Sequence, residues 1–269
     1  MNTPMSFVYS SATGAWLALL RQALHPTTPS HPSRNGGTKE FLHATTSFRM
    51  ANPLVDVKLR KLHYRFAMAE PAYILEGRND VSTLARLNPR IADFSDDGIT
   101  FYGAYGVQLM PQMPYVIDCL KQDPNTRRAV ARIWIDSPRV KSRDIPCTLC
   151  LIWMIRNSEL HVVDTMRSND LWWGTPYDWF TFTAVTLWLL LNLRPTLPDL
   201  RLGTFFYSAA STHLYDRHIP HAEAVTQAGG DRHEFGSLDA GAWHKPSDWI
   251  DWLWEQTRVP RPAAQHLQF

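Results

Sequence analysis

The longest apolar run in the chain, residues 180–193, constrains the fold more than any other feature. Three threonines and an asparagine interrupt it, and it falls short of the roughly 20 residues that a transmembrane helix needs. We therefore predict a buried core helix over residues 177–193. With 45% hydrophobic residues in a chain of 269, this helix fits one large α/β or α+β domain over residues 1–269, with loose ends at 1–9 and 259–269.

Hydrophobic periodicity predicts further elements along the chain. Helical spacing predicts helices over residues 10–24, 59–76, 80–88 and 112–123. Alternating or β-branched segments predict strands over residues 129–135, 147–155, 159–166 and 201–211. We expect Pro71 to kink the second helix. Residues 25–38 are polar and rich in proline and glycine, so we expect a loop there.

Charge and cysteine content argue against several classes of protein. The formal net charge is only +2, which is too balanced to indicate a nucleic-acid surface, and no segment predicts a membrane span or a secretory signal. Three cysteines are an odd number, so no disulfide framework is implied, and a reducing cytosol is the expected compartment. Cys147 and Cys150 form a C-x-x-C pair, but no second pair completes a zinc site, which disfavours a redox or metal site.

Cys147 by itself permits two interpretations. It enters an apolar segment, as a buried structural cysteine does. If it is instead a nucleophile, positive charge must lie nearby, because the reactive species is the thiolate and a free thiol is only slightly ionised at neutral pH. Arginine binds a dianionic phosphate well, yet an isolated pair such as Arg127 and Arg128 is also typical of a solvated surface.

Five short motifs follow one another in the chain. They are Tyr-Gly-Val-Gln at 105–108, Pro-Cys at 146–147, Arg-Ser-Asn-Asp at 167–170, Gly-Thr-Pro-Tyr-Asp at 174–178 and Thr-His-Leu-Tyr at 212–215. Each is weak alone, but in this order they resemble the nucleotide site of the thymidylate synthase superfamily. The resemblance covers most of the chain. It implies a thymidylate-synthase-like α/β fold, a large mixed sheet covered by helices, with one sheet face used for homodimerisation.

The resemblance also implies a role for each candidate site residue. Cys147 would be the nucleophile, Tyr105 would orient the nucleophile region, and Glu70 would relay protons through ordered water. The other implied roles are phosphate binding by Arg34, Arg127, Arg128, Arg167 and Ser168, sugar binding by His213 and Tyr215, and folate binding by Asp170, Ile91 and Phe94. The arginines at 127 and 128 would complete the partner subunit's site, and no metal is implied.

The substrate prediction depends on Asp178. The synthases have asparagine at this position, and an aspartate there resembles the cytidylate hydroxymethylases of the same superfamily. A carboxyl group accepts a hydrogen bond from the 4-amino group of cytosine and can share a proton with N3, which makes C6 more electrophilic. Facing uracil O4, a carboxylate would set acceptor against acceptor, at a cost on the order of 1–3 kcal/mol. A helix N-cap is the alternative role.

Several positions depart from the family pattern. Thr148 replaces a histidine, Ser211 replaces an aspartate, and Ile91 and Phe94 stand where the synthases have two tryptophans. Residues 268–269 do not resemble the synthases' folate-closing tail. These departures bear on methylation more than on nucleotide binding, and the loss of two bulky side chains is a hypothetical route by which water reaches the reacting carbon.

We therefore predict hydroxymethylation of deoxycytidylate at C5, with 5,10-methylenetetrahydrofolate as co-substrate. The enzymatic alternatives are a CMP hydroxymethylase of a nucleoside-antibiotic pathway, and a thymidylate synthase or dUMP hydroxymethylase. A different class also stays open, a catalytically silent dimer that binds nucleotide or RNA. An enzyme of the predicted kind would serve a phage that modifies its DNA cytosine, in the cytoplasm of a bacterium or an infected host.

Overall fold

A computed structural model describes residues 7–229 and 237–263. Within these residues the chain forms eight α-helices and seven strands. The helices are α1 Ala12–Leu24, α2 Tyr64–Leu75, α3 Val81–Ala85, α4 Tyr105–Leu109, α5 Met113–Gln122, α6 Thr175–Leu193, α7 Ile219–Ala228 and α8 Pro246–Thr257. The strands are β1 Ser30–Ser33, β2 Gly36–Arg49, β3 Val130–Arg132, β4 Thr148–Arg156, β5 Glu159–Met166, β6 Asn169–Asp170 and β7 Arg201–Tyr215.

The seven strands form one mixed sheet. Their spatial order is β1-β2-β7-β5-β4-β3, and the short β6 pairs with the end of β7. β5 and β6 run parallel to β7, whereas the other neighbours are antiparallel. The predicted α/β class, with a large mixed sheet covered by helices, is confirmed.

Helix α6 packs against one face of this sheet and forms the centre of the core. The ring of Phe48 lies 4.9 Å from that of Phe205 and 4.9 Å from that of Trp179, measured between centroids. The hydroxyl of Thr186 donates to the carbonyl of Phe182 four residues earlier, so this polar interruption of the apolar run is satisfied inside the helix. The predicted core helix is confirmed, with its start two residues earlier than expected.

The two faces of the sheet differ in burial. Alternate residues of β4 and β5 point towards α6 and are buried, including Leu151, Trp153 and Val162. The residues between them, such as Ile152 and Val163, are only partly buried. The chain therefore presents a second sheet face that is apolar in part and that its own helices do not fully cover.

The loop expected over residues 25–38 was wrong. Residues 30–33 pair in antiparallel register with the start of β2, and the turn between them leads into Gly36, which has a positive φ of 115°. The polar composition suited a hairpin turn, but the pairing partner in β2 had not been recognised. The strand expected at 201–211 continues to Tyr215, because β2 and β6 both pair with its end.

The helix expected over residues 59–76 is split. A short 3-10 helix occupies Lys58–Arg60, and α2 begins at Tyr64. The helix is assigned without a break through Pro71, although proline has no amide hydrogen to donate to the carbonyl four residues before it. The single-domain organisation over residues 1–269 stays a proposal. Within the part of the chain that the structure describes, no helix is long and apolar enough to cross a membrane.

The aromatic cluster under α6 gives a test of the fold. We expect Phe205→Ala to lower the free energy of unfolding by about 3–5 kcal/mol, because it leaves a cavity between Phe48 and Trp179. Val140→Ala is the matched control, since Val140 is 99% exposed and should change stability by less than about 0.5 kcal/mol. Urea unfolding at one protein concentration measures both, and equal effects would contradict this account of the core.

Candidate active site

The nucleophile candidate Cys147 lies immediately before β4, where three segments meet. Its amide donates to the hydroxyl of Tyr105 at 3.2 Å, and its carbonyl accepts from the amide of Arg167 at 2.8 Å. The Tyr105 ring is stacked on Phe182 of α6, with centroids 5.9 Å apart. The amide of Ser211 in β7 donates in turn to the carbonyl of Arg167. The Tyr105 hydroxyl and the backbone of Arg167 therefore hold this cysteine between α4 and β7, and the Tyr105 ring links it to the core helix.

The guanidinium of Arg167 faces the sulfur of Cys147. Its Nη2 lies 3.7 Å from Sγ, while Nε and Nη2 donate to the carbonyls of Pro146 and Ile145 at 2.8 and 3.0 Å. Burial raises the pKa of the Cys147 thiol to about 11, and the charge of Arg167 opposes that rise. The resting site therefore holds a thiol, with one fixed cation placed to stabilise the thiolate.

Asp178 lies in the first turn of α6, four residues after Gly174, the N-cap. The N-cap role expected as an alternative is therefore wrong. Burial raises the pKa of the Asp178 carboxyl well above its ordinary value, and the charges of Glu70 and Asp164 raise it further. A Cβ at position 174 would lie 3.3 Å from Asp178 Oδ2 and only 2.4 Å from Asn169 Oδ1, so this close approach requires glycine. The setting favours a neutral acid at the position predicted to read the base.

Glu70 reaches the same region from α2. Its Oε2 accepts a hydrogen bond from the hydroxyl of Thr181 at 3.0 Å. Burial raises the pKa of Glu70 to about 7, against the opposing effect of that hydrogen bond. A carboxyl group with this pKa can hold or release a proton near neutral pH, which a proton relay requires. Its role stays a prediction, but its setting suits that role.

Asp170 and His213 are neighbours across β6 and β7. The Oδ1 of Asp170 accepts from the amides of Trp172 and Trp173 at 2.7 and 3.2 Å, which fixes the turn before α6. The His213 ring lies 5.2 Å from that of Tyr215, so the predicted common face of this strand is confirmed. Burial lowers the pKa of His213, with Asp170 and the Glu40 carboxylate opposing the shift.

Arg34 lies in the exposed turn between β1 and β2. The neighbouring Asn35 donates through Nδ2 to the hydroxyl of Tyr215 at 3.5 Å, and its carbonyl accepts from Arg217 at 2.8 Å. The hairpin tip is thus attached to the end of β7 that carries the predicted sugar-binding pair. Arg34 and that pair therefore lie at the same end of the sheet.

The remaining predicted residues lie on segments outside the group around Cys147. Arg127 and Arg128 are exposed between α5 and β3, and neither forms a salt bridge within residues 7–229 and 237–263. Ser168 is partly buried between β5 and β6. Ile91 and Phe94 lie on the 3-10 helix Pro89–Phe94, where 55% of the Phe94 surface is exposed. The expectation about residues 268–269 lies outside the described residues.

Sequence reasoning missed a second group of residues, which packs beside Asp170. Arg60 is 4% exposed, and its guanidinium lies 4.7 Å from the ring of Trp172 and 5.1 Å from that of Trp173. Trp173 is 51% exposed and donates through Nε1 to Nε2 of His218 at 2.9 Å. The adjacent tryptophans after the 167–170 motif were the available signal. Beside Asp170, Trp172 is buried, and the half-exposed Trp173, fixed by His218, offers an open aromatic surface.

A family comparison agrees with this geometry. The family model described as "Thymidylate synthase" matches residues 15–240. The chain belongs to the thymidylate synthase family. The predicted resemblance, with hydroxymethylases among the relatives, is confirmed.

Three curated relatives place this thymidylate synthase family member among phage and bacterial proteins. A protein named deoxyuridylate hydroxymethyltransferase in Bacillus phage SP01 is 32% identical over 59% of this chain and 45% of its own length. A protein with the same name in Pseudomonas phage M6 is 37% identical over 68% of this chain and 54% of its own length. A thymidylate synthase of Bacillus atrophaeus is 27% identical over 60% of this chain and 74% of its own length. The chain spans about half the length of the two phage relatives.

Among the described side chains, no group of three or more histidines, cysteines or acidic residues could hold a metal ion. Cys119, Cys147 and Cys150 are all free thiols.

The setting of Cys147 predicts its reactivity. Alkylation of Cys147 by iodoacetamide should accelerate as pH rises towards its pKa of about 11, because only the thiolate reacts. At a fixed pH, Arg167→Gln should slow the reaction about tenfold by removing the nearby charge, whereas Arg167→Lys should slow it less. Peptide mass spectrometry measures the rate at this one cysteine. Equal rates in the two variants would show that the Arg167 charge does not act on the sulfur.

Proposed function

We propose that this chain hydroxymethylates a pyrimidine nucleoside monophosphate at C5, and that the nucleotide is dCMP. The observation that carries the proposal is a partly buried carboxyl, Asp178, with a raised pKa, in the site of Cys147 and Arg167. Family members transfer one-carbon units to pyrimidine nucleotides with 5,10-methylenetetrahydrofolate as co-substrate. The residues of this chain are arranged for the proton transfers that such a reaction demands.

Cys147 would begin the reaction by adding to C6 of the base. The thiol loses its proton as sulfur approaches, Arg167 stabilises the developing thiolate, and Tyr105 holds the backbone of the nucleophile in place. Addition makes C5 nucleophilic, and the folate supplies the methylene that C5 takes up. After the C5 proton has left, departure of tetrahydrofolate leaves an exocyclic methylene. Water adds there, and sulfur leaves C6. Glu70, with a pKa of about 7, is suited to carry the protons through water.

A neutral Asp178 can read cytosine with two hydrogen bonds. Its O–H donates to N3, and its carbonyl oxygen accepts from the 4-amino group. N3 of cytosine is a basic ring nitrogen, so the acid can pass its proton to the ring and activate C6. The same neutral acid can also face uracil, by donating to O4 and accepting from N3–H. This removes the acceptor clash expected for a carboxylate. Discrimination between cytosine and uracil then rests on proton transfer to N3 of cytosine.

Deoxyuridylate is the second candidate substrate. Both phage relatives carry the name deoxyuridylate hydroxymethyltransferase, and a protonated Asp178 is compatible with uracil. An amide is sufficient for uracil, however, whereas only an ionisable acid can protonate cytosine. This difference favours dCMP.

The phosphate and sugar would be held at the end of β7. Arg167 and Ser168 lie after β5, Arg34 lies on the hairpin joined to Tyr215, and His213 lies beside that tyrosine. Guanidinium groups suit a dianionic phosphate because they donate in pairs. We propose that the nucleotide lies with its base against Cys147 and its sugar against β7.

The folate would lie on the aromatic surface beside Asp170. Trp173 is half exposed, and its ring is fixed by His218, so it offers a preformed stacking face. Ile91 and Phe94 are proposed to contribute on the opposite side. The Asp170 carboxyl would hold the polar edge of the pterin.

We propose a homodimer formed through the less buried face of the sheet. That face carries Ile152 and Val163 with partial exposure, as an apolar surface awaiting a partner would. The unpaired Arg127 and Arg128 would then reach the phosphate in the partner's site. The three free thiols fit a reducing cytoplasm, and the phage relatives fit a role in modifying phage DNA.

Tritium release from C5 tests the function directly. With methylenetetrahydrofolate, we expect release from dCMP to exceed release from dUMP and CMP, with CH₂O added to the product by mass. Asp178→Asn should lower kcat/KM for dCMP on the order of 10²-fold by removing the acid while keeping or raising that for dUMP. Cys147→Ser should abolish turnover and leave nucleotide affinity nearly intact.

The outcomes separate the candidates. Release from dUMP with an added hydroxymethyl group would establish the second candidate, and an added methyl group would make the chain a synthase. Nucleotide binding without release from dCMP, dUMP or CMP would support a silent binding dimer. An unchanged base preference in Asp178→Asn would remove the role given to this acid.

Subunit mixing tests the shared site. Arg127→Ala and Cys147→Ser homodimers should each be inactive or nearly so. Random re-association should restore about a quarter of the parental activity, because half of the dimers are hybrids and each hybrid has one intact site. Mixing Glu70→Gln with Cys147→Ser is the matched control and should restore nothing, since both residues belong to one subunit's site. Equal recovery in the two mixtures would contradict the crossed arginine.

A further inference from the structure

Buried polar atoms lie between α6 and the sheet without protein partners. Asp164 of β5 is 0% exposed, and neither of its carboxyl oxygens has a hydrogen-bond partner among the described residues. The same holds for Nε1 of Trp179 and Oγ1 of Thr183, both buried on α6. Trp179 and Thr183 are one helical turn apart and hence share a face. Buried polar groups are as a rule hydrogen-bonded to protein or ordered water, so this group requires an explanation.

The unpaired atoms are complementary in kind. Trp179 N–H is a donor and Thr183 O–H can donate, whereas the Asp164 carboxylate offers only acceptors. The Trp179 ring lies 5.5 Å from that of Tyr207, which pairs with Asp164 in the register of β5 and β7. Ordered water bridging these groups would satisfy all of them and would stabilise a negative charge on Asp164.

We call the buried space that Asp164, Trp179 and Thr183 share the polar chamber. It extends to Asp178, the acid proposed to read the base. Tyr207 shares a hydrogen bond with Thr212 at 3.0 Å, and Thr212 is the strand partner of Asn169. Asn169 Oδ1 and Asp178 Oδ2 both border Gly174, at 2.4 and 3.3 Å from the position that a Cβ there would take, so these two side chains are neighbours. A series of neighbouring polar side chains, Tyr207, Thr212 and Asn169, therefore lies between Asp164 and Asp178.

The charges around this chamber are of one sign. The charge of Asp164 acts on three groups: Tyr207 of β7, Asp178 of α6 and Cys150 of β4. The charge of Glu70 in α2 also acts on Asp178. Burial raises the pKa of both aspartates, and the charge of Asp164 raises that of Asp178 further. Two carboxyl groups in one poorly solvated space lose their protons in separate steps, since the first charge opposes the second.

We propose that Asp164 is a positioning residue, which shares one buried chamber with Asp178 and keeps the proton on Asp178, where the nucleotide base meets it. Asp164 takes the first charge, because Trp179, Thr183 and bridging water can stabilise it. Asp178 then holds the remaining proton. This inference rests on the proposed function, because it gives the retained proton its use, but the coupling itself is a property of the free protein.

The free-energy cost of burying Asp164 supports a functional reason for an acid at this position. Burial of an acid without a protein partner costs free energy, and a well-packed apolar side chain of similar size is often more stable. Asp164 lies between strands whose neighbouring inward residues, Val162 and Leu151, are apolar. An acid at this position therefore does not serve packing.

Infrared titration of the free protein tests the coupling. The carboxyl band of Asp178 is assigned from its loss in Asp178→Asn. In Asp164→Asn and Asp164→Leu we expect Asp178 to ionise at a pH lower by about one unit or more, the separation that defines an interacting pair. The alkaline limb of kcat/KM for the preferred nucleotide should move down by the same amount, because the required proton is lost earlier.

Two further readouts separate this role from a structural one. Asp164→Leu should unfold at the same or a higher urea concentration than the parent, whereas a purely structural acid predicts a lower midpoint and an unchanged Asp178 titration. An unchanged titration in both variants would overturn the inference. The infrared result needs no substrate, so it stands or fails independently of whether the nucleotide is dCMP.

Discussion

The burial of α6 against the sheet is the interaction on which the site depends. One face of its first two turns bears Asp178, binds Glu70 through Thr181 and stacks Phe182 on Tyr105. These contacts bring groups from α2, α4 and the start of β4 into one place. Because the helix is fixed by aromatic packing over its length, it can hold these groups with the precision that covalent catalysis needs.

The same burial sets the protonation of the site. It raises the pKa of Cys147, Glu70 and Asp178 together, so Cys147 and Asp178 keep their protons at rest while Glu70 can exchange one near neutral pH. Arg167 supplies the main opposing charge at the sulfur. A site of this kind suits the proposed reaction, in which a thiol and two carboxyl groups give up and take up protons in sequence.

Prediction from sequence succeeded where the signal was local. The core helix and the hairpin of β4 and β5 follow from apolar runs and alternation, which neighbouring residues determine. Sequence reasoning missed the pairing of β1 with β2. That pairing depends on β2 being held in the sheet by β7, which lies far away in the chain. Arg60 resembled a surface residue within Lys-Leu-Arg, and only packing against Trp172 shows that it is buried. Asp164 fitted an alternating strand, which concealed an unpaired acid in the core.

The sequence alone determined the family, the order of the motifs and the chemical types available, because thiol, guanidinium and carboxyl groups are recognisable without coordinates. Tertiary structure decided that Asp178 is no helix cap, that Cys147 rests as a thiol and that a second acid, Asp164, is buried in the core behind Asp178. Ionisation depends on distance and solvent access. Both are set by residues far apart in the chain, such as Asp164 and Tyr207, and so no local pattern records them.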